Sequence, residues 1–155
     1  MPVECIVTMT QHFVSFGLPL LFWVPTYARW VLTADHRPVY RWHERCLRLL
    51  QSGGVRGRWQ LKSPQHAIAI DDLAAHYPDA RFVVTQRDPA TCVASTTSLG
   101  HAYAGALAPL PDAGDMAALW TDTLAAMADN LVAFRQAHGD DRFVDVAYRD
   151  LTGDP

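Results

Sequence analysis

The sequence predicts an α/β domain, a parallel sheet flanked by helices behind a helical N-terminal third. Three observations carry this. Apolar residues recur at helical spacing through residues 1–54, short β-rich runs alternate with helical segments over 55–155, and twice a strand-like run meets a cation followed by a capping residue and proline, as "LKSP" and "QRDP". Alternation of this kind favours parallel strands with crossover helices, and such sheets bind ligands outside the carboxyl ends of their strands. With 155 residues, half of them apolar, the chain is read as one domain able to bury a core.

In chain order, "PVECIVTMTQHFVSF", "VPTYARWVL" and "RPVYRWHERCLRLLQ" carry the helical stripes of the first third, with a Gly/Pro break after Phe16 and "TADHRP" before the third segment. "QSGGVRG" is a loop by composition, and "RWQLK" has the mixed aromatic and aliphatic character of a short strand. After it Ser63 caps a helix and Pro64 fills its first position, where no backbone N–H is needed; this helix is expected to run to about His76, where "YPDA" ends it. "RFVVTQR" is the clearest strand, rich in Phe82, Val83, Val84 and Thr85. Asp88 and Pro89 then open a helix through "ATCVASTTSL", and "GHAYAGALAPLPDAG" is a loop of small residues. Met116, Trp120, Leu124, Met127, Leu131 and Phe134 form the stripe of one long helix ending near Gly139, and "RFVDVAY" is a further strand.

Bulk properties narrow the function. A net charge of −3 argues against a nucleic-acid partner, whose phosphates call for a basic face. Three widely spaced cysteines without a C-x-x-C support neither a disulfide framework nor a zinc site, and the histidines show no metal-ligand spacing, so no metal and a reducing cytoplasmic setting are expected. "FVSFGLPLLFWVP" is too short and too interrupted to span a membrane, and no signal peptide is read.

Lys62 is the sole lysine of the chain; every other basic side chain is arginine or histidine. Lys62 and Arg87 each stand at a strand end immediately before a helix start, where unsatisfied N–H groups and the helix dipole favour an anion. Two such ends side by side would form a dianion site, with Tyr148 on the same edge; the plainer reading is two surface charges before proline-initiated helices. Ser95 lies eight positions after Arg87, close to two turns along one face, where its hydroxyl either reaches the same ligand or bonds its own helix. His66, in the first turn of its helix, is a candidate general base or a histidine satisfying backbone groups. Cys92 is read as a buried structural thiol.

"RWQLKSPQH", "YPDARFVVTQRDPATCVASTTSL" and "FVDVAYRDLTGDP" resemble successive blocks of the bacterial sulfotransferase family that uses 3'-phosphoadenosine 5'-phosphosulfate, and "PVECIVTMTQHFVSF" with "VPTYARWVL...YRWHERCLRLLQ" resembles its helical middle section. The resemblance implies a partial P-loop-type sulfotransferase fold, that nucleotide as co-substrate and a small hydroxyl or amine acceptor. It implies Arg87 and Ser95 at the donor's 3'-phosphate, Lys62 near the sulfuryl group, Tyr148 near the adenine and His66 as base. Gln86 stands where a basic residue commonly precedes the arginine. The family's P-x-S-G-T-T loop, whose backbone N–H groups cradle the phosphosulfate, is absent, and "SGGVRG" lacks the Gly-Thr/Ser ending that would replace it.

The expectation is therefore a single incomplete domain over 1–155, a middle fragment or truncated product that is impaired or inactive by itself, with a further helix starting at Asp154-Pro155. Two other readings stand beside it. One is a non-catalytic fragment that docks through its apolar N-terminal helices on a partner or a second copy; the other is a P-loop kinase relative, for which no Walker lysine or magnesium ligand can be placed.

Overall fold

The computed structural model describes residues 4–54, 56–106 and 111–153. Helix α1 (Cys5–Thr10) is followed by α2 (Gly17–Leu21), α3 (Pro25–Val31) and α4 (Arg37–Gln51), so the first third is helical as expected. The first break comes earlier than the Gly/Pro signal suggested. Phe13 takes a left-handed φ of 64°, and the chain turns there, while Gly17 and Pro19 lie within α2. Proline is tolerated in a first helical turn because its missing N–H would find no intrahelical partner there.

Gly17 is required by close approach. A Cβ there would stand 2.2 Å from Thr10 Oγ1, which is already bonded to the Ile6 carbonyl at 2.6 Å and to Ser15 Oγ at 3.0 Å. Gly17→Ala therefore has to push Thr10 off both partners, and is expected to cost about 2 kcal/mol. Gly53→Ala, with open space around it, is the control; equal denaturation midpoints for the two variants would contradict this packing.

The expected strand "RWQLK" does not form. Arg58–Lys62 lies in no helix and no ladder and its residues are exposed; a strand exists only with a partner, and none pairs with this segment among the described residues. The helix expected from Ser63 to His76 is also divided. Ser63 does cap, accepting from Gln65 N at 3.3 Å, and Pro64 opens the turn, but the turn is a 3-10 helix (Pro64–Ala67). A separate helix, α5 (Ile70–His76), follows. The interruption has a visible cause: Asn130 Nδ2 takes the Ile68 carbonyl at 2.6 Å, and Ala69 leaves helical geometry with ψ at 50°.

Strand β1 (Phe82–Gln86) leads through α6 (Pro89–Ala104) and α7 (Ala113–His138) to β2 (Phe143–Ala147) and α8 (Tyr148–Thr152). Asp88 caps α6, accepting from Thr91 N and Thr91 Oγ1, both at 2.8 Å. Asp112 caps α7 through the N–H groups of Gly114 and Asp115, and Gly139 ends it at a φ of 78° that suits glycine. The predicted loop from Gly100 begins later, since α6 runs on to Ala104; its remainder at 107–110, and the helix expected from Asp154, lie outside the described residues.

The two strands pair in parallel in the register Phe82↔Phe143 through Gln86↔Ala147. Their inner face packs Phe82 and Phe143 on Phe134 of α7, with ring centroids 6.3 and 5.9 Å away. On the outer face Val83 and Val144 are 69% and 59% exposed. The core lies instead among the helices, where Met9, Val31, Val39, Tyr40, Ile70, Met116, Leu119, Trp120 and Phe134 are buried together. The architecture is mixed α/β with a small sheet, and no helix among the described residues is long and apolar enough to cross a membrane.

Candidate functional site

The parallel register brings two of the expected residues together. Gln86 pairs with Ala147, so Arg87 and Tyr148 are the next residues beyond two adjacent strand ends, at the carboxyl edge. The Arg87 guanidinium lies 4.5 Å from the Tyr148 ring centroid. This stacking orients the fork without neutralising it. Among the described residues Arg87 has no carboxylate within ion-pair distance.

The strand ends beneath this pair are braced. Gln86 Nε2 donates to Asp145 Oδ1 at 2.9 Å, and Arg135 of α7 holds both Asp145 oxygens, at 3.0 and 2.6 Å. These bonds keep the Asp145 carboxyl below the usual carboxylate range, Arg135 first. Asp88 is likewise lowered by the Thr91 N–H and then the Thr91 hydroxyl that donate to it; its charge occupies part of the positive end of α6 next to Arg87. Ser95, on α6, is exposed and lies on the helix side of Asp88, as its spacing requires. Cys92, on α6, is half-buried, less enclosed than the buried structural thiol expected from sequence.

Lys62 does not stand at a strand end, so the paired strand ends expected to set it beside Arg87 are not formed among the described residues; it and His66 flank Ser63 and Pro64 with separate partners. Lys62 carries its ammonium to Glu4 at the start of α1, and its carbonyl accepts from Cys5 N at 3.0 Å. The Lys62 side chain is 68% exposed, so the ion pair is screened and contributes at most about 1 kcal/mol. An arriving anion has little to displace.

His66 lies on the 3-10 helix, with its ring against α4. Its Nδ1 is 3.2 Å from Tyr40 Oη, the two rings stack at 5.8 Å, and His43 meets it edge-on at 6.0 Å. Burial, then the neighbouring His43, pushes the His66 pKa down to about 4. The neutral imidazole expected from a helix dipole is thus produced by desolvation. Behind it His43 Nδ1 is 2.8 Å from Tyr77 Oη, and His76 Nε2 is 3.1 Å from Glu44 Oε2.

Sequence reasoning missed Tyr40, His43, Tyr77 and Gln65. Tyr40 and His43 are one turn apart on the buried stripe of α4, a signal that reads equally well as plain core. Gln65, 1% exposed, accepts from Phe16 N and donates to the Val14 carbonyl, each at 2.9 Å. It clamps the 3-10 helix, and so the segment bearing Lys62 and His66, to the turn between α1 and α2. No hydrogen bond or ion pair among the described residues joins this group to Arg87 and Tyr148.

Between α6 and α7 a surface groove of about 810 Å³, lined by Pro89, Val93, Ala94, Thr97, His101 and Ala117, starts two residues beyond Arg87. Among the described residues no group of three His, Cys, Asp or Glu side chains could hold a metal ion.

Comparison with known proteins decides the family. A family model described as "Sulfotransferase family" matches residues 1–155. The chain belongs to the sulfotransferase family. Its structure superposes on a crystal structure of the sulfotransferase STF1 from Mycobacterium tuberculosis H37Rv with a TM-score of 0.87 and 34% sequence identity. That match covers 99% of this sulfotransferase-family chain and 42% of the mycobacterial one, so the chain spans less than half the length of that relative. No curated protein matches the sequence.

Proposed function

We propose that this chain carries the nucleotide-receiving part of a sulfotransferase, taking 3'-phosphoadenosine 5'-phosphosulfate as donor and a small hydroxyl or amine compound as acceptor. The observation that supports it best is the pairing at the carboxyl edge. Two parallel strands are followed at once by Arg87 and Tyr148, the guanidinium lies over the ring, and the start of α6 comes two residues after Arg87. A planar fork that is held in place and lacks a carboxylate suits a phosphate, and a half-exposed tyrosine suits a nucleobase. In this reading Arg87, with the Ser95 hydroxyl, holds the donor's 3'-phosphate, and Tyr148 lies near the adenine.

Lys62 and His66 are assigned to the transfer end. As the acceptor oxygen or nitrogen bonds to sulfur, the bond from sulfur to the bridging phosphate oxygen breaks and adenosine 3',5'-bisphosphate leaves. Negative charge grows on that bridging oxygen, and an ammonium there stabilises it without forming any bond. Glu4 holds the Lys62 ammonium until the donor draws it away.

The test is thermal protection. Adenosine 3',5'-bisphosphate is expected to raise the melting temperature of the chain, with 5'-AMP at equal concentration having little effect. Equal shifts from the two ligands, or none from either, would remove the reading.

A second reading draws on one observation. Phe13, Phe22, Val24 and Trp30 are exposed along the N-terminal helices, an apolar surface fit for a partner or a second copy. Self-association in solution, lost on Phe13→Ser with Trp30→Ser, supports it; a strict monomer at high concentration opposes it.

A further inference from the structure

The Tyr40 side chain is 0% exposed, and a buried phenol O–H has to find an acceptor. Among the described residues Tyr40 Oη has one hydrogen-bond partner, His66 Nδ1 at 3.2 Å. Tyr40 stays protonated, since burial first, then the charge of Asp72 and the Cys5 thiol, raises its pKa. His66 is neutral at ordinary pH, and a neutral imidazole carries one proton on one nitrogen. If Nδ1 accepts from Tyr40, that proton is on Nε2.

The neighbours reinforce this arrangement. On α4, His43 faces the His66 ring at 6.0 Å, and a second charge beside it would oppose protonation of His66. At the end of α5, His76 stacks over Tyr40 at 6.5 Å and Tyr77 meets it edge-on at 6.4 Å. His76 is turned away to Glu44 and Tyr77 to His43, so neither competes for the Tyr40 hydroxyl.

We propose that Tyr40 is a positioning residue that fixes His66 in its Nε2–H tautomer, so that His66 acts as a neutral hydrogen-bond donor to the transferring sulfuryl group. This rests on the sulfotransferase reading above and replaces the general base expected from sequence. A nitrogen that already carries its proton has no lone pair for the acceptor's proton. In the transfer step the acceptor O–H or N–H gives its proton to water while the new bond to sulfur forms. The bridging S–O bond breaks with its electron pair going to the bisphosphate, and the Nε2–H stays on His66 throughout.

Two measurements on the whole chain test this. Long-range proton–nitrogen spectra of histidine-labelled protein, with His66 assigned by its loss in His66→Gln, are expected to show Nδ1 unprotonated and Nε2 protonated from pH 8 to about pH 5. Tyr40→Phe is expected to mix the two tautomers. A protonated Nδ1 in the wild type overturns the proposal.

The activity arm uses the bisphosphate-forming reaction with a simple phenol as acceptor. His66→Gln keeps an N–H near the Nε2 position without being a base. It is expected to stay within roughly tenfold of wild-type kcat, whereas His66→Ala loses roughly 100-fold or more with little change in donor KM. Gln as inactive as Ala, or an activity limb rising with deprotonation of His66, overturns the donor role. A wild-type chain that makes no sulfated product overturns the transfer roles given to Lys62 and His66 in this chain, while nucleotide binding is decided by the thermal test and the part assigned to Tyr40 by the spectra.

Discussion

Arg87→Ala is expected to weaken binding of adenosine 3',5'-bisphosphate by roughly 10- to 100-fold and to leave 5'-AMP nearly unaffected. A hydrogen bond to a charged group is worth about 1.5–3 kcal/mol, and each 1.4 kcal/mol is tenfold in affinity. The effect is expected to be confined to the ligand with a 3'-phosphate because the proposed function sets Arg87 against that group and leaves the shared 5'-phosphate to other residues. Arg87→Lys should recover only part of the loss, since an ammonium restores charge without the planar fork that lies 4.5 Å from the Tyr148 ring centroid. Raising the ionic strength should narrow the difference, as both side chains are exposed at the sheet edge. Calorimetric titration of the three proteins with both nucleotides measures all of this. Unchanged affinity for the bisphosphate, or an equal loss for 5'-AMP, removes Arg87 from the phosphate.

Acid is expected to destabilise the fold well above the range where carboxylates protonate. His66 has a folded pKa lowered from 6.5 to about 4, so the unfolded chain binds the extra proton first. The stability tied to the neutral ring is fully present above pH 6.5 and is lost as pH falls towards 4, on the order of 3 kcal/mol at 1.36 kcal/mol per unit. His43 and His36 are also lowered by burial and act in the same direction below 6.5. The depressed carboxyls of Asp88, Asp145 and Glu44 have the same sign in a lower window. Their contribution persists until pH falls below the ordinary carboxylate range. Urea midpoints between pH 7 and 4.5 should therefore drop, and His66→Gln should flatten the decline. A level midpoint from pH 7 to 5 would mean that the ring is solvated.

The parts of this fold that could be read in the sequence are those set by local chemistry. Phe82 to Thr85 and Phe143 to Val146 are β-branched or aromatic enough to be strands in almost any setting, and both caps, Ser63 and Asp88, bond as their residue types require. The long stripe from Met116 to Phe134 buries as one helix. What escaped depends on tertiary approach. "RWQLK" has strand chemistry but no ladder partner among the described residues, and the helix after Pro64 is divided by an asparagine more than sixty residues away. The candidate site divides in the same way. Arg87 and Tyr148 were legible because strand register determines their adjacency, whereas the Tyr40 contact to His66 joins α4 to the 3-10 helix across 26 positions and leaves no periodic trace.

The chain holds its single lysine twice from the same place. Glu4 takes the ammonium and the neighbouring Cys5 amide takes the carbonyl, so the first helix and the segment before Pro64 are fastened at two points one residue apart. A ligand that draws the ammonium away releases one tether and leaves the other, and the side chain can swing while its backbone stays anchored. Reach and rigidity at that position are thereby separated: the first turn of α1 serves as a hinge pin for the lysine.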